Sequence, residues 1–301
     1  IPPSPQKKTN IMGLKDTPPP HVPEWLLKAS TGVLGIGAIC WYLTYILTTI
    51  RAIKTRSYGM PLMATVLNWS WEVIYAFYAA EHPIEFLGLA AWFTLDIGMV
   101  YTTVVYAPHD WKYSSRWVGQ HMFAILLGLT AVGVWGNYAF AEWFLAEEGR
   151  GFGDKTGKWF KGKEGFDTME MAFWSALVPQ AYISGASLAM LVSRGHSGGV
   201  SYAIWFVRSL GSFVGLIALP GMMWWYWPEA HGYFLNPLAT FLQALFLLPD
   251  IVYPFVLHQI RQTEVEMPDG RLLSAEHAMI EKRLEGYGLL KVEKGMAEDS
   301  E

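Results

Sequence analysis

Asn68-Trp69-Ser70-Trp71-Glu72-Val73-Ile74-Tyr75 sets one carboxylate among aromatic and aliphatic residues, halfway along a run that otherwise reads as a membrane span. An ionised glutamate at mid-bilayer costs at least about 2.5 kcal/mol on insertion scales, so an acid kept there calls for a purpose. Asn68, Glu72 and Tyr75 follow i, i+4, i+7 spacing and share one helix face. That face must look into a bundle rather than into lipid.

Outward from this stretch the chain divides into apolar runs of about 20 residues, the length that crosses a ~30 Å hydrocarbon core as a helix. Seven are predicted, at about 30–50, 60–80, 84–106, 117–145, 169–193, 200–223 and 235–258. The fold class expected is an all-α membrane protein, a bundle of seven transmembrane helices with polar N- and C-terminal tails. Residues 1–29, broken by Pro18-Pro19-Pro20 and Pro23, form the N-terminal tail, and residues 30–258 the seven-span bundle. Residues 147–168 carry six glycines among charges and read as an exposed loop; residues 259–301 read as a charged, largely helical tail. Alternating spans put the termini on opposite sides, and the Lys/Arg count favours a cytosolic C-terminus.

The composition agrees with a bilayer as solvent. Of 301 residues, 52% are hydrophobic and 16% charged, against roughly 25% charged in an ordinary soluble domain. A net charge of -4 with no basic block interleaved with aromatics excludes a nucleic-acid surface. Cys40 is the only cysteine, so no intramolecular disulfide forms. The opening Ile1-Pro2-Pro3-Ser4-Pro5 has neither an initiator Met nor a signal pattern, which predicts a processed terminus and leaves targeting to the first span. Many of the 15 tryptophans fall near predicted span ends, as interfacial anchors do.

Four ionisable groups lie within predicted spans: Glu72, Asp96 on the third, Arg208 on the sixth and Asp250 on the seventh. Gln243, Asp250 and Tyr253 align on one face, and Pro249 and Pro254 loosen the backbone around them. Counting ~1.5 Å per residue from the span ends brings Glu72 and Asp250 to the same depth, which predicts a single polar pocket. Arg208 is expected to pair with Asp96 or Asp250, because buried charges are paired. One basic group for three acids leaves a carboxyl unpaired, and desolvation keeps such a group protonated and able to donate its proton.

Competing chemistries lack their signatures. No Asp-Asp-x-x-Asp run holds Mg²⁺ for diphosphate ionisation, and no Asp-x-Asp-Asp run occurs. His109, His121 and His196 lie near span ends without His-x-x-His or Cys-x-x-Cys partners, so each is expected at a surface or interface and no metal site is predicted. The glycines of 149–165 follow no strand and precede no Gly-Lys-Ser/Thr, so they form no phosphate loop.

Six ordered motifs carry a resemblance. They are Arg56-Ser57-Tyr58-Gly59-Met60, Asn68-x-x-Trp71-Glu72-x-x-Tyr75, Tyr106-Ala107-Pro108-x-x-Trp111, Arg194-Gly195-His196, Arg208-Ser209-Leu210-Gly211-Ser212 and Tyr226-Trp227-Pro228-Glu229-Ala230. Together, over about residues 33–258, they resemble the integral-membrane terpene cyclases of fungal meroterpenoid and indole-diterpene pathways, the pyripyropene and paspaline cyclase family. The resemblance implies seven spans, no cofactor, and acid-initiated cyclisation of a lipophilic prenylated substrate, commonly an epoxide, in a membrane such as the endoplasmic reticulum. It assigns the essential acids to Glu72 and Asp250. The insertion at 147–168 departs from the family pattern.

The mechanism expected on this basis has Glu72, supported by Asp250, protonate an epoxide oxygen or a terminal alkene, after which cation-olefin closure follows. Trp69, Trp71, Tyr75 and Tyr253 are candidate cation stabilisers, each worth up to ~2 kcal/mol when desolvated. Asn68, Asp96 and Arg208 complete the predicted binding set. The alternative is a seven-span transporter or receptor using the same charges as a relay.

Overall fold

The computed structural model describes residues 15–286. The tail residues 1–14 and 287–301 lie outside that range. The long helices are α1 (Leu26–Thr55), α3 (Pro83–Asp110), α5 (Met122–Leu145), α6 (Thr168–Arg194) and α10 (Pro237–Thr263). Shorter pieces are α2 (Leu62–Ile74), α4 (Arg116–Gln120), α7 (Tyr202–Phe213), α8 (Leu219–Tyr226), α9 (Pro228–His231) and α11 (Ala275–Gly286). A π-helical turn, Val214–Ala218, joins α7 to α8 into one 25-residue rod.

Among the described residues six helices are long and apolar enough to cross a membrane. The second predicted span is not one of them. Its α-helical part, α2, is 13 residues long and continues as a π-helical turn at Tyr75–Ala79. A π turn adds a residue to the helical repeat and commonly marks a functional site. Here both π turns, through Tyr75 and through Gly215 and Leu216, reach the same cavity.

The helix ends follow local chemistry. Asp167 caps α6 by accepting from the Met169 and Glu170 amides, and Gly195, at φ 64°, ends it. Pro83 opens α3 behind His82, whose ring accepts from the Ile84 amide at 3.2 Å. Helices approach where side chains are small. A Cβ on Gly133 of α5 would stand 2.7 Å from Ser70 Oγ on α2, and one on Gly98 of α3 would stand 2.9 Å from Thr49 Oγ1 on α1. Such contacts suit helices in lipid, where packing rather than water exclusion drives association. The burial pattern agrees: Thr44, Thr65, Ser70 and Thr103 face inward while Trp135, Phe255 and Ile39 face out.

The glycine-rich segment is not simply an exposed loop. It folds into a hairpin of β1 (Trp159–Phe160) against β2 (Lys163–Glu164), and Lys155 and Lys158 are buried beneath it. The reason is charge pairing with distant acids. Lys158 Nζ meets Asp16 at 2.9 Å, and Lys155 Nζ meets Asp167 at 3.0 Å and Glu170 at 2.5 Å. The proline-rich lead is thereby docked on this cap, with Val22 and Leu26 packed against Trp227. At the opposite end Arg194 pairs with Asp110 at 3.1 Å, and a second hairpin, β3 (Val265–Glu266) with β4 (Leu272–Leu273), precedes α11. His196, expected at a surface, is buried there. Burial and the neighbouring Arg194 charge push its imidazole down to about 3.

Candidate active site

A cavity of about 380 Å³ lies between α1, α2, α3, α6 and the α7–α8 rod, with walls almost wholly apolar. This volume falls in the range of small-molecule sites. One end lies under the cap, at Met169, Phe173 and Tyr233; the other ends on Tyr45, Asn68, Glu72 and Gln180.

At that inner end the polar groups converge. The Tyr45 hydroxyl donates to Glu72 Oε1 at 2.6 Å, and Asn68 Nδ2 donates to the same oxygen at 3.0 Å. Asn68 Nδ2 also lies 2.6 Å from the Tyr45 hydroxyl and 3.2 Å from Asp96 Oδ2, so its two hydrogens face three acceptors that include both carboxyls. Glu72 and Asp96 are both fully enclosed, and Glu72 Oε2 and Asp96 Oδ1 have no partner among the described residues. Among the described residues no cation is in salt-bridge contact with either carboxyl. With Oε1 in contact with Tyr45 and Asn68, Oε2 is the oxygen of Glu72 left without a partner among the described residues.

Aromatic side chains line the wall beside the carboxyl. Trp71 and Tyr75 stack with centroids 4.1 Å apart, and Trp92 stands 6.4 Å from Trp71. Ser175 on α6 fixes the stacked pair, accepting from Trp71 Nε1 at 2.9 Å and lying 2.5 Å from the Tyr75 hydroxyl. Trp69 has a different place. It stacks on Phe93 at the α2–α3 seam, outside the cavity wall.

Asp250 does not join Glu72. Its Oδ1 accepts from Arg208 Nη2 at 2.6 Å, and the pair sits with Tyr253 by a separate, much smaller cavity of about 20 Å³. The expected single pocket is therefore two. Equal depth fixes position along the bundle axis only, and α10 presents Asp250 to α7 rather than to α2. The pairing of Arg208 with an acid is found, the acid being Asp250.

Several wall residues were not singled out in the sequence: Tyr45, Trp41, Trp92 and Gln180. Trp41 with Tyr45, and Trp92 with Asp96, each follow i, i+4 spacing, which was the available signal.

The cap end carries its own buried network. Lys158 Nζ lies 3.1 Å from His231 Nε2, and His231 Nδ1 lies 2.9 Å from the Tyr233 hydroxyl. An ammonium only donates, so Nε2 accepts and Nδ1 carries the hydrogen. Burial and the Lys158 charge hold His231 well below the usual histidine range. Burial alone would push Asp167 up, but Lys158 and Lys155 hold it well below the carboxylate range. The cluster meets the cavity at Tyr233, which lines its cap end.

Comparison with known proteins shows the family of the chain. Residues 14–263 match the family described as Pyr4-like transmembrane terpene cyclases. Terpene cyclase ascF of Acremonium egyptiacum is 34% identical over 259 residues, 86% of this chain and 92% of that protein. Terpene cyclase macJ of Penicillium terrestre is 31% identical over 257 residues, 84% and 89% of the two chains. The Pyr4-family terpene cyclase mfmH of Annulohypoxylon moriforme is 31% identical over 245 residues, 80% and 90%. These names do not favour the transporter or receptor alternative. No solved structure matches the chain.

Proposed function

Because this chain belongs to the Pyr4-like transmembrane terpene cyclases, we propose that it cyclises a polyprenyl substrate of farnesyl or geranylgeranyl length, with Glu72 as the acid that starts the reaction. The observation that carries this reading is that Glu72, alone among the four intramembrane charges named from the sequence, lines the apolar cavity and keeps an oxygen without a partner among the described residues.

The steps balance as an isomerisation. The Glu72 proton passes to an epoxide oxygen, or to the terminal alkene carbon, as the C–O bond or the π bond opens. The resulting tertiary cation is attacked by the next alkene along the folded chain, and the last cation loses a proton, which restores the acid. An epoxide asks less of the acid than an alkene does when proton transfer accompanies C–O cleavage. Trp71, Tyr75, Trp92 and Trp41 offer ring faces to the passing cation, each worth up to ~2 kcal/mol when desolvated. The cavity shape supplies the coiled conformation, an entropic contribution. Asp96 is held beside Glu72 by the Asn68 amide and is coupled to it through charge. Asp250 acts at one remove, neutralising Arg208 and holding α10 against α7.

The same reading counts α2 with its π turn, 18 residues from Leu62 to Ala79, as a seventh crossing. It also keeps the bundle at 30–258 and places the protein in the endoplasmic reticulum, where lipophilic prenyl substrates partition. Membranes containing the protein should convert epoxidised or plain prenyl compounds, with or without a chelator. Glu72→Gln should abolish product at unchanged protein abundance. Undiminished turnover by that variant would exclude Glu72 as the acid.

A further inference from the structure

α6 brings to the cavity a polar group that the proposed reaction leaves unused. Gln180, Ser184 and Ser187 follow i, i+4, i+7 spacing and are all buried. Gln180 is the only polar side chain among the described α6 residues that line the large cavity, while Ser187 lines the small one. Gln180 Nε2 donates to Ser184 Oγ at 3.0 Å, which anchors the amide by its nitrogen. Its oxygen accepts no hydrogen bond among the described residues and is not one of the buried polar atoms shut off from open space, so it keeps surface on the cavity that the residue lines. The height of Gln180 follows from contacts between α2 and α6, which run in opposite directions: Tyr58, ahead of α2, meets Arg194 at the end of α6, and Tyr75 meets Ser175. From that second contact Gln180 lies about 7.5 Å down α6, and Glu72 and Asn68 lie about 4.5 Å and about 10.5 Å down α2, at ~1.5 Å per residue. Gln180 thus sits in the layer of Glu72 and Asn68, and all three face one cavity.

We propose that Gln180 is a catalytic residue of the cationic step, its carbonyl dipole turning the negative end toward the positive charge that forms beside Glu72. The assignment rests on the proposed cyclase reading, which supplies the cation. An epoxide or alkene opened at Glu72 leaves its tertiary cation on the neighbouring carbon, in a cavity whose walls are almost wholly apolar. There a fixed dipole acts with little screening and needs no reorganisation as the charge appears. Ser184, fully buried and outside the cavity wall, supplies the fixing. The ring faces of Trp71 and Tyr75 meet the cation from α2, and the Gln180 oxygen meets it from α6. An amide suits this position better than a second acid would. It is neutral, so it avoids the desolvation cost of a buried charge. It takes no proton from Glu72 and, unlike a carboxylate, does not capture the cation as an ester.

Charge selectivity separates a dipole from packing. Two unreactive saturated chains of farnesyl length, one ending in trimethylammonium and the other in the isosteric neutral tert-butyl group, are titrated into the full-length protein in nanodiscs. Glu72→Gln is the background, so that no carboxylate charge masks the dipole, and partition into the lipid is the same for every variant. Adding Gln180→Met, which matches the side chain in length, should weaken ammonium binding about ten-fold and change binding of the neutral chain less than about two-fold. Ser184→Ala, which leaves Gln180 in place but unfastened, should lose part of the same selectivity, and it carries the test if Gln180→Met fails to fold. Ammonium binding that is unchanged or tighter in Q180M, or an equal loss for both ligands, overturns the assignment; the tighter case would mean that the amide nitrogen faces the cavity. With Glu72 intact, Q180M should lower kcat about ten-fold with KM nearly unchanged. Failure of the cyclase reading looks different: wild-type membranes that convert no prenyl compound would remove the reaction and leave the ammonium selectivity in place.

Discussion

Tyr45 donates its hydroxyl hydrogen to Glu72 Oε1 at 2.6 Å, from a helix 27 residues earlier in the chain. The contact settles which oxygen accepts and which is free, and it does so without adding charge. Tyr45→Phe keeps the ring and removes the donor. The carboxyl is then held by Asn68 alone and less firmly oriented, and Oε1 loses a bond worth ~1–2 kcal/mol. Turnover should fall about ten-fold, well short of the loss in E72Q, with KM nearly unchanged. Steady-state kinetics on both variants in the same membranes checks this.

Asp96 gives a second expectation. If Glu72 and Asp96, held side by side on Asn68, are coupled through charge, they act as a unit and their deletions are not additive. Asp96→Asn should lower kcat at least ten-fold, and the E72Q/D96N double variant should be no worse than E72Q alone. A double variant worse by the product of the single losses would show independent roles.

How much of this was legible depended on whether a signal was local. Helical spacing put Asn68, Glu72 and Tyr75 on one face, and all three line the cavity, with Trp71 beside them. Spacing within one helix gives direction as well as depth. Across helices only depth is readable, so Asp250 was matched to Glu72 although α10 turns it toward Arg208. Trp69 shows the same limit from the other side: it adjoins the motif, yet one residue rotates the side chain ~100°, to the α2–α3 seam. The cap was hidden for a different reason. Lys158 is separated from Asp16 by 142 residues, and a glycine-rich charged segment has no periodicity to announce that its lysines are buried. The π turn at Tyr75–Ala79 has no composition of its own, so an apolar run of span length concealed the break.

The Arg208–Asp250 pair predicts a stability pattern. Each charge is buried and the other is its partner at 2.6 Å. Removing one leaves the other uncompensated, at a cost of ~3–5 kcal/mol, whereas removing both costs far less. Asp250→Asn and Arg208→Gln should each lower the thermal midpoint in detergent, and the double variant should recover much of it. Activity in D250N should then track folded protein. A D250N variant that is fully stable yet inactive would instead make Asp250 a direct participant.

The cap predicts a response to pH whose sign follows from His231. Its imidazole is held neutral in the folded protein by burial and Lys158, while in an unfolded segment it titrates near ~6.5. Below that value the open form takes up a proton that the closed form excludes. Stability of the cap is therefore complete above about pH 6.5 and declines as the pH falls, by up to ~1.4 kcal/mol per unit for one histidine. Asp167, held down by the two lysines, keeps its contribution until the pH drops below its unfolded value near ~3.9. Asp16 works against the trend, since burial pushes its carboxyl up despite Lys158 and a proton taken up there favours the closed form at low pH. His231 and Asp16 thus act with opposite signs, and the expectation here is the one set by His231. Hydrogen exchange across residues 149–165, corrected for intrinsic rates, should be faster at pH 5 than at pH 7. His231→Asn, which cannot titrate, should flatten that dependence; an unchanged pH profile in the variant would assign the response to another group.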